Sequence, residues 1–129
     1  METGPAEPRN FRFPSRERLK GRDEIRDVFS RRQGVSCSGA RLLILKNGRP
    51  YNRIAFTFSR KFGNAVQRNR ARRVGREAYR LLRNELKQGY DLVLLVYPGK
   101  DDFSSRMVQV KELFGRTGLF KKSERQEIT

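Results

Sequence analysis

The sequence contains no histidine and a single cysteine, and these absences exclude several kinds of site. Without histidine, the chain carries no Ser/His/Asp or Cys/His catalytic set. Cys37 alone forms no disulfide within the chain and completes no zinc site of the usual histidine and cysteine ligands. The acid pair Asp101-Asp102 is predicted to cap a helix rather than to hold a metal. We therefore expect no catalytic residue and no metal site intrinsic to the protein.

Long apolar runs are missing as well. No stretch approaches the roughly 20 apolar residues that span a bilayer, and residues 1–18 lack the apolar centre of a signal peptide. We therefore predict a cytoplasmic protein without a membrane partner.

Acidic residues are scarce relative to basic ones. The chain of 129 residues has 30 lysines and arginines against 14 acids, which gives a net charge of +16. Such an excess opposes compaction by self-repulsion and favours a polyanionic partner, for which nucleic acid is the first candidate and an anionic membrane surface the second.

The basic residues are concentrated between positions 60 and 87, which the pattern predicts to be largely helical. Arginine dominates this segment. The planar guanidinium group of arginine binds phosphate oxygens bidentately and stacks on bases. We therefore interpret the segment as a nucleic-acid surface rather than a solvated helix face. Spacings of three and four place one stripe on a common face: Asn69, Arg73, Arg76, Arg80, Arg83 and Lys87. The opposite, apolar face is predicted to comprise Ala71, Val74, Ala78, Leu81 and Leu82.

The other periodicities predict a single α+β domain in the order αββαβα, with three helices packed on a small sheet. We expect the first two strands to pair antiparallel because a short turn joins them, and the very apolar third strand to be central. Asn64 and Gln67 form a capping-box pattern at the start of the basic helix. The predicted helices span residues 22–32, about 64–88 and about 104–113, and the predicted strands span 35–46, 53–59 and 90–97.

The two ends of the chain differ in composition from its centre. Residues 1–15 are predicted to be a flexible leader, residues 16–122 the single RNA-binding domain, and residues 123–129 a charged tail. Phe11 and Phe13 either dock the leader on the domain or stack on bases. Gly75, inside the basic helix, permits either close approach of RNA or tight packing, and the sequence leaves both open.

The order of residues within the basic segment resembles that of a known family. Residues 59–77, SRKFGNAVQRNRARRVGRE, are similar to the signature of the bacterial ribonuclease P protein subunit. The similarity consists of a basic pair, Gly-x-Ala-Val, Arg-Asn-Arg, a second basic pair and Arg-Glu. Arg18-Leu19 followed by Ile25, Val28 and Phe29 resembles the first helix of the same family.

The resemblance implies a mixed central sheet with three helices. It also implies that strands 53–59 and 90–97 lie parallel, joined through the basic helix by an unusual left-handed crossover, where general rules would favour a right-handed one. The implied function is that of an accessory subunit in a ribonucleoprotein endonuclease that removes the 5′ leader of precursor tRNA. In this family the large RNA subunit is the catalyst and binds most of the Mg²⁺.

The resemblance further implies two RNA-binding surfaces and no stable protein partner. One surface binds the catalytic RNA near the path of the precursor tRNA leader, and a cleft between the first helix and the sheet takes the leader itself. Ile25 and Leu45 are aliphatic where some members carry an aromatic, so they offer contact area without a π-face. For Phe56 and Phe58, core packing is an equal alternative. The implied RNA-binding residues are Arg60, Lys61, Asn64, Arg68, Asn69, Arg70, Arg72, Arg73 and Arg76, and the implied cleft residues are Ile25, Phe29, Leu45, Phe56 and Phe58.

Two other functions are compatible with parts of the pattern. Composition alone favours a structural ribosomal RNA-binding protein. The Arg-Asn-Arg signature in its full context is the feature that discriminates between this alternative and the ribonuclease P family. A helix-turn-helix DNA-binding protein fits less well, because the basic helix is long and lies between strands.

Overall fold

The structure is a computed structural model that describes residues 14–31, 33–99 and 101–121. Most of the predicted leader, including Phe11 and Phe13, and the predicted tail lie outside the described residues. Short 3-10 turns occupy Ser15–Glu17 and Arg83–Glu85. The helices are α1 (Arg22–Arg31), α2 (Ala65–Leu82) and α3 (Phe103–Thr117), and the strands are β1 (Gly34–Cys37), β2 (Ala40–Lys46), β3 (Arg53–Phe58) and β4 (Tyr90–Val96).

The predicted single strand at 35–46 is wrong in one respect, because it is a hairpin of β1 and β2. Ser38 and Gly39 form its two-residue turn, and Gly39 has a φ of +88°, which glycine adopts without strain. The Ser-Gly pair was the available turn signal within an otherwise strand-like run.

The predicted antiparallel pairing of strand 35–46 with strand 53–59 is also wrong. The sheet order is β1-β2-β4-β3, so β4 lies between β2 and β3 and pairs antiparallel with β2. The six-residue connection between β2 and β3 passes over one intervening strand. Strands are about 4.8 Å apart, so the connection crosses roughly 10 Å, which six residues span easily.

Two expectations for β4 are confirmed. It is the central strand and is buried along most of its length, and it runs parallel to β3 with Ile54 opposite Leu92 and Phe58 opposite Val96. The handedness of the β3–α2–β4 connection stays a prediction from the family resemblance.

Each face of the sheet carries its own apolar layer. Helices α2 and α3 cover one face, where Ile54 and Phe56 of β3 meet Tyr79 and Phe114. Helix α1 covers the other face, where Val28 packs with Leu43, Ala55 and Val93. Alternate residues of β3 thus belong to different layers, as the period of a strand requires.

Ala71, Ala78 and Leu82 are buried on α2 as predicted, but the rest of the buried face differs from the prediction. Leu81 is 44% exposed and Val74 is only partly buried, whereas Gly75 and Tyr79 are buried. A Cβ atom on Gly75 would lie 2.8 Å from ring carbons of Phe56. Of the two interpretations of this glycine, the structure therefore supports tight packing.

The ends of the helices follow the predicted capping chemistry. Asn64 and Gln67 form a complete capping box at the start of α2, and the Asp102 side chain accepts a hydrogen bond from the Ser105 amide at the start of α3. Helix α2 ends at Leu82, earlier than predicted, and α3 extends further, to Thr117. Within the described ranges, no helix is long and apolar enough to cross a membrane.

Candidate nucleic-acid interface

The loop before α2, residues 59–63, is held in place by Arg68. The Arg68 guanidinium donates hydrogen bonds to the backbone carbonyls of Gly63 (3.0 Å), Arg60 (3.2 Å) and Ser59 (3.3 Å). Phe62 stabilises the same loop by packing on Phe58, with ring centroids 4.8 Å apart. Several N–H groups of Arg68 therefore donate to the protein backbone and are not available to a ligand.

The cations that the loop and the first turns of α2 present to solvent form one surface. We call Arg60, Lys61, Arg70 and Arg73, all of which are exposed, the basic surface. Asn64 and Asn69 lie beside them and are also exposed. The Asn64 side-chain oxygen accepts a hydrogen bond from the Gln67 amide, so that oxygen is engaged in capping α2, and the start of the helix adds a positive dipole end to the surface.

Arg72 extends from the basic surface toward β3. Its Nη1 donates to Asn69 Oδ1 at 2.9 Å, and its guanidinium lies 5.2 Å from the ring centroid of Phe58. This cation–π contact fixes the arginine while leaving other donors available. Asn69 therefore orients Arg72, a role that the sequence did not indicate.

One turn further along α2, Arg76 lies at a cavity beside β3. The cavity has a volume of about 290 Å³, and Arg18, Lys20 and Arg72 line it together with Arg76. Burial lowers the pKa of Arg76, and the nearby charges of Arg18 and Arg72 lower it further. Sequence reasoning missed Arg18 and Lys20 as part of this site, although Arg18-Leu19 belongs to the family-like pattern.

Two of the three residues in the second half of the predicted basic stripe are engaged within the protein, and the third, Lys87, is exposed. Arg80 pairs with Glu77, and Arg83 pairs with Glu17, whose side chain is only 4% exposed. The first half of the stripe faces solvent and the cavity, whereas Arg80 and Arg83 stabilise the fold.

Three of the predicted cleft residues lie on the α1 side of the sheet. Ile25 and Leu45 are partly buried against the layer beneath α1, and Phe29 is 37% exposed. An ion-pair network fixes α1 here, since Arg53 donates to Asp91 through Nε (2.8 Å) and Nη2 (2.6 Å) and to Glu24 through Nη1 (3.1 Å). The hydrogen bonds to Asp91 raise the pKa of Arg53, so its guanidinium stays charged.

The other two predicted cleft residues, Phe56 and Phe58, lie on the opposite face. Phe56 is buried beneath α2, and Phe58 is partly buried between Phe62 and Arg72. Both rings are thus packed against the core, and Phe56 also lines the cavity that Ile25 borders, so its place in the cleft stays a prediction.

The described residues offer no carboxylate cluster suited to Mg²⁺. No group of three or more acidic, cysteine or histidine residues is close enough there to hold a metal ion. Within the described ranges, the two buried carboxylates are Glu17 and Asp91, and each is paired with an arginine. A metal at either carboxylate would have to displace that arginine, so these side chains do not fit an intrinsic site.

Comparison with known proteins identifies a family. The profile of the family described as Ribonuclease P matches residues 13–118. The ribonuclease P protein component of Caldanaerobacter subterraneus subsp. tengcongensis is 34% identical over 111 residues, covering 84% of this chain and 95% of the relative. The RNase P protein of Thermotoga maritima has a similar solved structure, with a TM-score of 0.68, 29% identity and coverage of 78% and 96% of the two chains. The RNase P protein of Staphylococcus aureus, 16% identical with a TM-score of 0.71 and coverage of 81% and 98%, shares the fold.

Proposed function

The chain belongs to the ribonuclease P protein family, and from that premise we propose that it binds the catalytic RNA and assists RNA-catalysed removal of the 5′ leader from precursor tRNA. The observation that carries this proposal is the match over residues 13–118, within which the family-like signature forms the exposed basic surface. Family membership points to an endoribonuclease complex with an RNA partner. A structural ribosomal RNA-binding protein is not favoured, because the matching relatives are ribonuclease P protein components.

The basic surface is proposed to contact the catalytic RNA close to the leader path. Its four cations are exposed and lie on the loop at 59–63 and on the first turns of α2, where Arg68 and the capping box fix the backbone. Contacts between such cations and phosphates position RNA without reading its sequence.

The surface beside α1 is proposed to receive the leader. Phe29 offers an exposed ring for stacking on a base, and Ile25 and Leu45 supply apolar contact area next to it. Because a single exposed aromatic is present among these three residues, we expect discrimination among leader sequences at this surface to be weak.

The Mg²⁺ ions of the holoenzyme are proposed to be bound mainly by RNA. The buried carboxylates of the described residues are engaged by arginines, and the chain lacks histidine. The contribution of the protein would then be to neutralise phosphate charge and so to reduce the metal concentration that the assembled RNAs require.

A reconstitution assay tests the proposal. The full-length protein alone should not cleave precursor tRNA, and it should increase cleavage by the catalytic RNA at low Mg²⁺. Substituting two basic-surface residues, Arg70→Gln with Arg73→Gln, should remove most of this increase. The matched control, Lys111→Gln with Lys121→Gln, lowers the net charge equally at exposed positions near α3 and should retain it. Metal-dependent cleavage by the protein alone would contradict the proposal that the RNA is the catalyst and the protein assists it.

The leader surface needs a separate comparison of precursor and mature tRNA. Phe29→Ala should weaken holoenzyme binding to precursor and leave mature tRNA binding unchanged, because only the precursor carries a leader. Phe103→Ala is a close control, since Phe103 is 38% exposed on α3. Equal losses for both tRNAs, or equal effects of the two substitutions, would remove Phe29 from the leader surface.

A further inference from the structure

We propose that Glu24 is a positioning residue, which sets the orientation of α1 on the sheet through its ion pair with Arg53. The orientation of α1 in turn sets the place of Ile25 and Phe29 on the leader surface. The inference rests on the proposed function for the identity of the bound strand, whereas the link between Glu24 and α1 follows from the contacts. Glu24 itself is not proposed to touch RNA.

Two contacts one helical turn apart attach α1 to the sheet. The Val28 side chain is buried and packs with Leu43 and Val93. Four residues earlier, Glu24 Oε2 accepts a hydrogen bond from Arg53 Nη1 at 3.1 Å. Residues four apart lie on the same face of a helix, separated by about 6 Å along its axis. Because an apolar contact is not directional, the ion pair is the contact that fixes the direction of the helix.

The sheet holds its side of this ion pair firmly. Arg53 lies on β3 with a side chain that is 12% exposed, and it donates to Asp91 through Nε at 2.8 Å and through Nη2 at 2.6 Å. Asp91 is held a second time, since its Oδ1 also accepts from Asn47 Nδ2 at 2.9 Å. The planar guanidinium therefore presents Nη1 to α1 in a fixed direction.

Among the described residues, the other side-chain hydrogen bonds of α1 stay within the helix. Arg26 donates to Asp23 at 3.5 Å, and Ser30 Oγ donates to the Asp27 carbonyl at 2.9 Å. Neither of these bonds holds α1 against the sheet, so the polar contact that does so is the one made by Glu24.

The residues proposed to contact the leader lie on the neighbouring ridge of the helix. Ile25 and Phe29 follow Glu24 and Val28 by one position each. A tilt of α1 that separates Glu24 from Arg53 therefore moves Ile25 and Phe29 as well. Stacking of a base on the Phe29 ring requires that ring to be correctly placed.

The charge of Glu24 makes the two possible effects of its removal opposite in sign. A carboxylate beside a surface that binds a polyanion repels it, so loss of the charge alone would strengthen binding. Loss of the orientation of α1 would weaken it. Glu24 is 45% exposed and Arg53 keeps Asp91 as a partner, so Glu24→Ala leaves no buried charge without a counterion.

Binding of precursor and mature tRNA to the holoenzyme tests the inference. Glu24→Ala should weaken precursor binding about fivefold, the upper range for a partly exposed ion pair, and leave mature tRNA binding unchanged. Glu24→Gln keeps an oxygen acceptor for Arg53 and should retain more of the affinity. Asp27→Ala is the matched control, because it removes the same charge from an exposed position of α1 and should not weaken binding. Precursor binding by Glu24→Ala as tight as that of wild type or tighter, or equal losses for both tRNAs, would overturn the inference.

A measurement on the free, full-length protein separates failure of this inference from failure of the proposed function. Residual dipolar couplings of backbone N–H groups report the direction of α1 relative to the sheet. In Glu24→Ala, the couplings of Arg22–Arg31 should no longer fit the wild-type direction, whereas those of α2 should still fit. An unchanged direction of α1 would contradict the positioning role. A changed direction, in a protein whose wild-type holoenzyme binds precursor and mature tRNA equally, would count against the proposed leader surface and leave the link between Glu24 and α1 intact.

Discussion

Gly75 shows how a single residue sets the distance between the basic helix and the sheet. Its lack of a side chain lets α2 approach the edge of the Phe56 ring, and that approach brings Arg72 and Arg76 to the cavity beside β3. A glycine in a helix costs about 1 kcal/mol relative to alanine, so its presence here reflects packing rather than helix propensity.

We predict that Gly75→Ala destabilises the protein despite the better helix propensity of alanine. The added Cβ would lie 2.8 Å from the Phe56 ring, and overpacking of this kind costs roughly 1 to 3 kcal/mol. The net loss in the free energy of unfolding should be about 1 kcal/mol in urea denaturation.

Gly115→Ala is the matched control for that experiment. Gly115 is also inside a helix, α3, but nothing beyond its own helical backbone lies within 4 Å of the position that a Cβ atom would take, so alanine should stabilise by up to about 1 kcal/mol. In a Phe56→Leu background the cost of Gly75→Ala should shrink, because the clashing ring is gone. Equal effects of the two glycine substitutions would show that Phe56 does not limit this site.

At the scale of the element, the loop at 59–63 depends on Arg68. We predict that Arg68→Lys keeps the charge but loses most of the RNA affinity, because an ammonium group lacks the planar fork that reaches three carbonyls. Amide hydrogen exchange at residues 60–63 should accelerate in the variant. Arg70→Lys, at an exposed position of the basic surface, should keep most of the affinity. Full RNA affinity in Arg68→Lys would show that Arg68 contributes charge alone.

The turn at Ser15–Glu17 is joined to the end of α2 by a largely buried ion pair. Arg83→Ala would leave the Glu17 carboxylate, only 4% exposed, without its partner, and removing one member of a buried pair typically costs about 3 to 5 kcal/mol. Since Arg83 itself is 25% exposed and water can enter, we expect a loss of roughly 2 to 3 kcal/mol.

Glu112→Ala is a suitable comparison for Arg83→Ala. It breaks the pair of Glu112 with Arg116, whose side chains are 42% and 53% exposed, so the loss should stay below about 1 kcal/mol. Both variants are compared by chemical denaturation. A loss for Arg83→Ala no larger than that for Glu112→Ala would mean that Glu17 rehydrates when its partner is removed.

The sequence predicted the helices and strands of this fold better than it predicted which strands pair with each other. Capping at Asn64 and Asp102 was recognisable because the relevant residues lie three positions apart. The insertion of β4 between β2 and β3 was not derivable from the short connection, since such a connection permits both a hairpin and a crossing. The parallel pairing of β3 with β4 came from family resemblance.

The candidate site likewise contains residues that the sequence identified and residues that only the structure reveals. Residues 60–76 were recognisable because their order along the chain carries the family-like signature. The roles of Arg18 and Asn69 were not, because they depend on a bridge to β3 and on a contact between side chains. The buried face of α2 was only partly predicted, because Leu81 is apolar yet exposed, while Gly75 carries no hydrophobic signal but is buried.

At the scale of the whole molecule, a net charge of +16 acts in opposite directions on folding and on RNA binding. Within the free protein, like charges on the basic surface and around the cavity repel one another, and salt screens that repulsion over a Debye length of about 10 Å at 0.1 M. In the complex the same cations replace counterions on RNA, so salt competes with binding.

We therefore predict that potassium chloride stabilises the free protein while it weakens binding to RNA. Between about 0.05 and about 0.5 M salt, the thermal midpoint of the free protein should rise, and RNA affinity should fall with a log–log slope of at least about −3, as several phosphate contacts require. Chloride is the appropriate anion, because phosphate and sulfate oxygens form bidentate contacts with arginine and would bind the basic surface. The paired substitution Arg70→Gln and Arg73→Gln should reduce both salt effects, whereas a merely structural arginine would change the midpoint without changing the slope. A thermal midpoint that falls with chloride would show that ion pairs such as Arg53–Asp91, rather than repulsion, dominate the electrostatics of the fold.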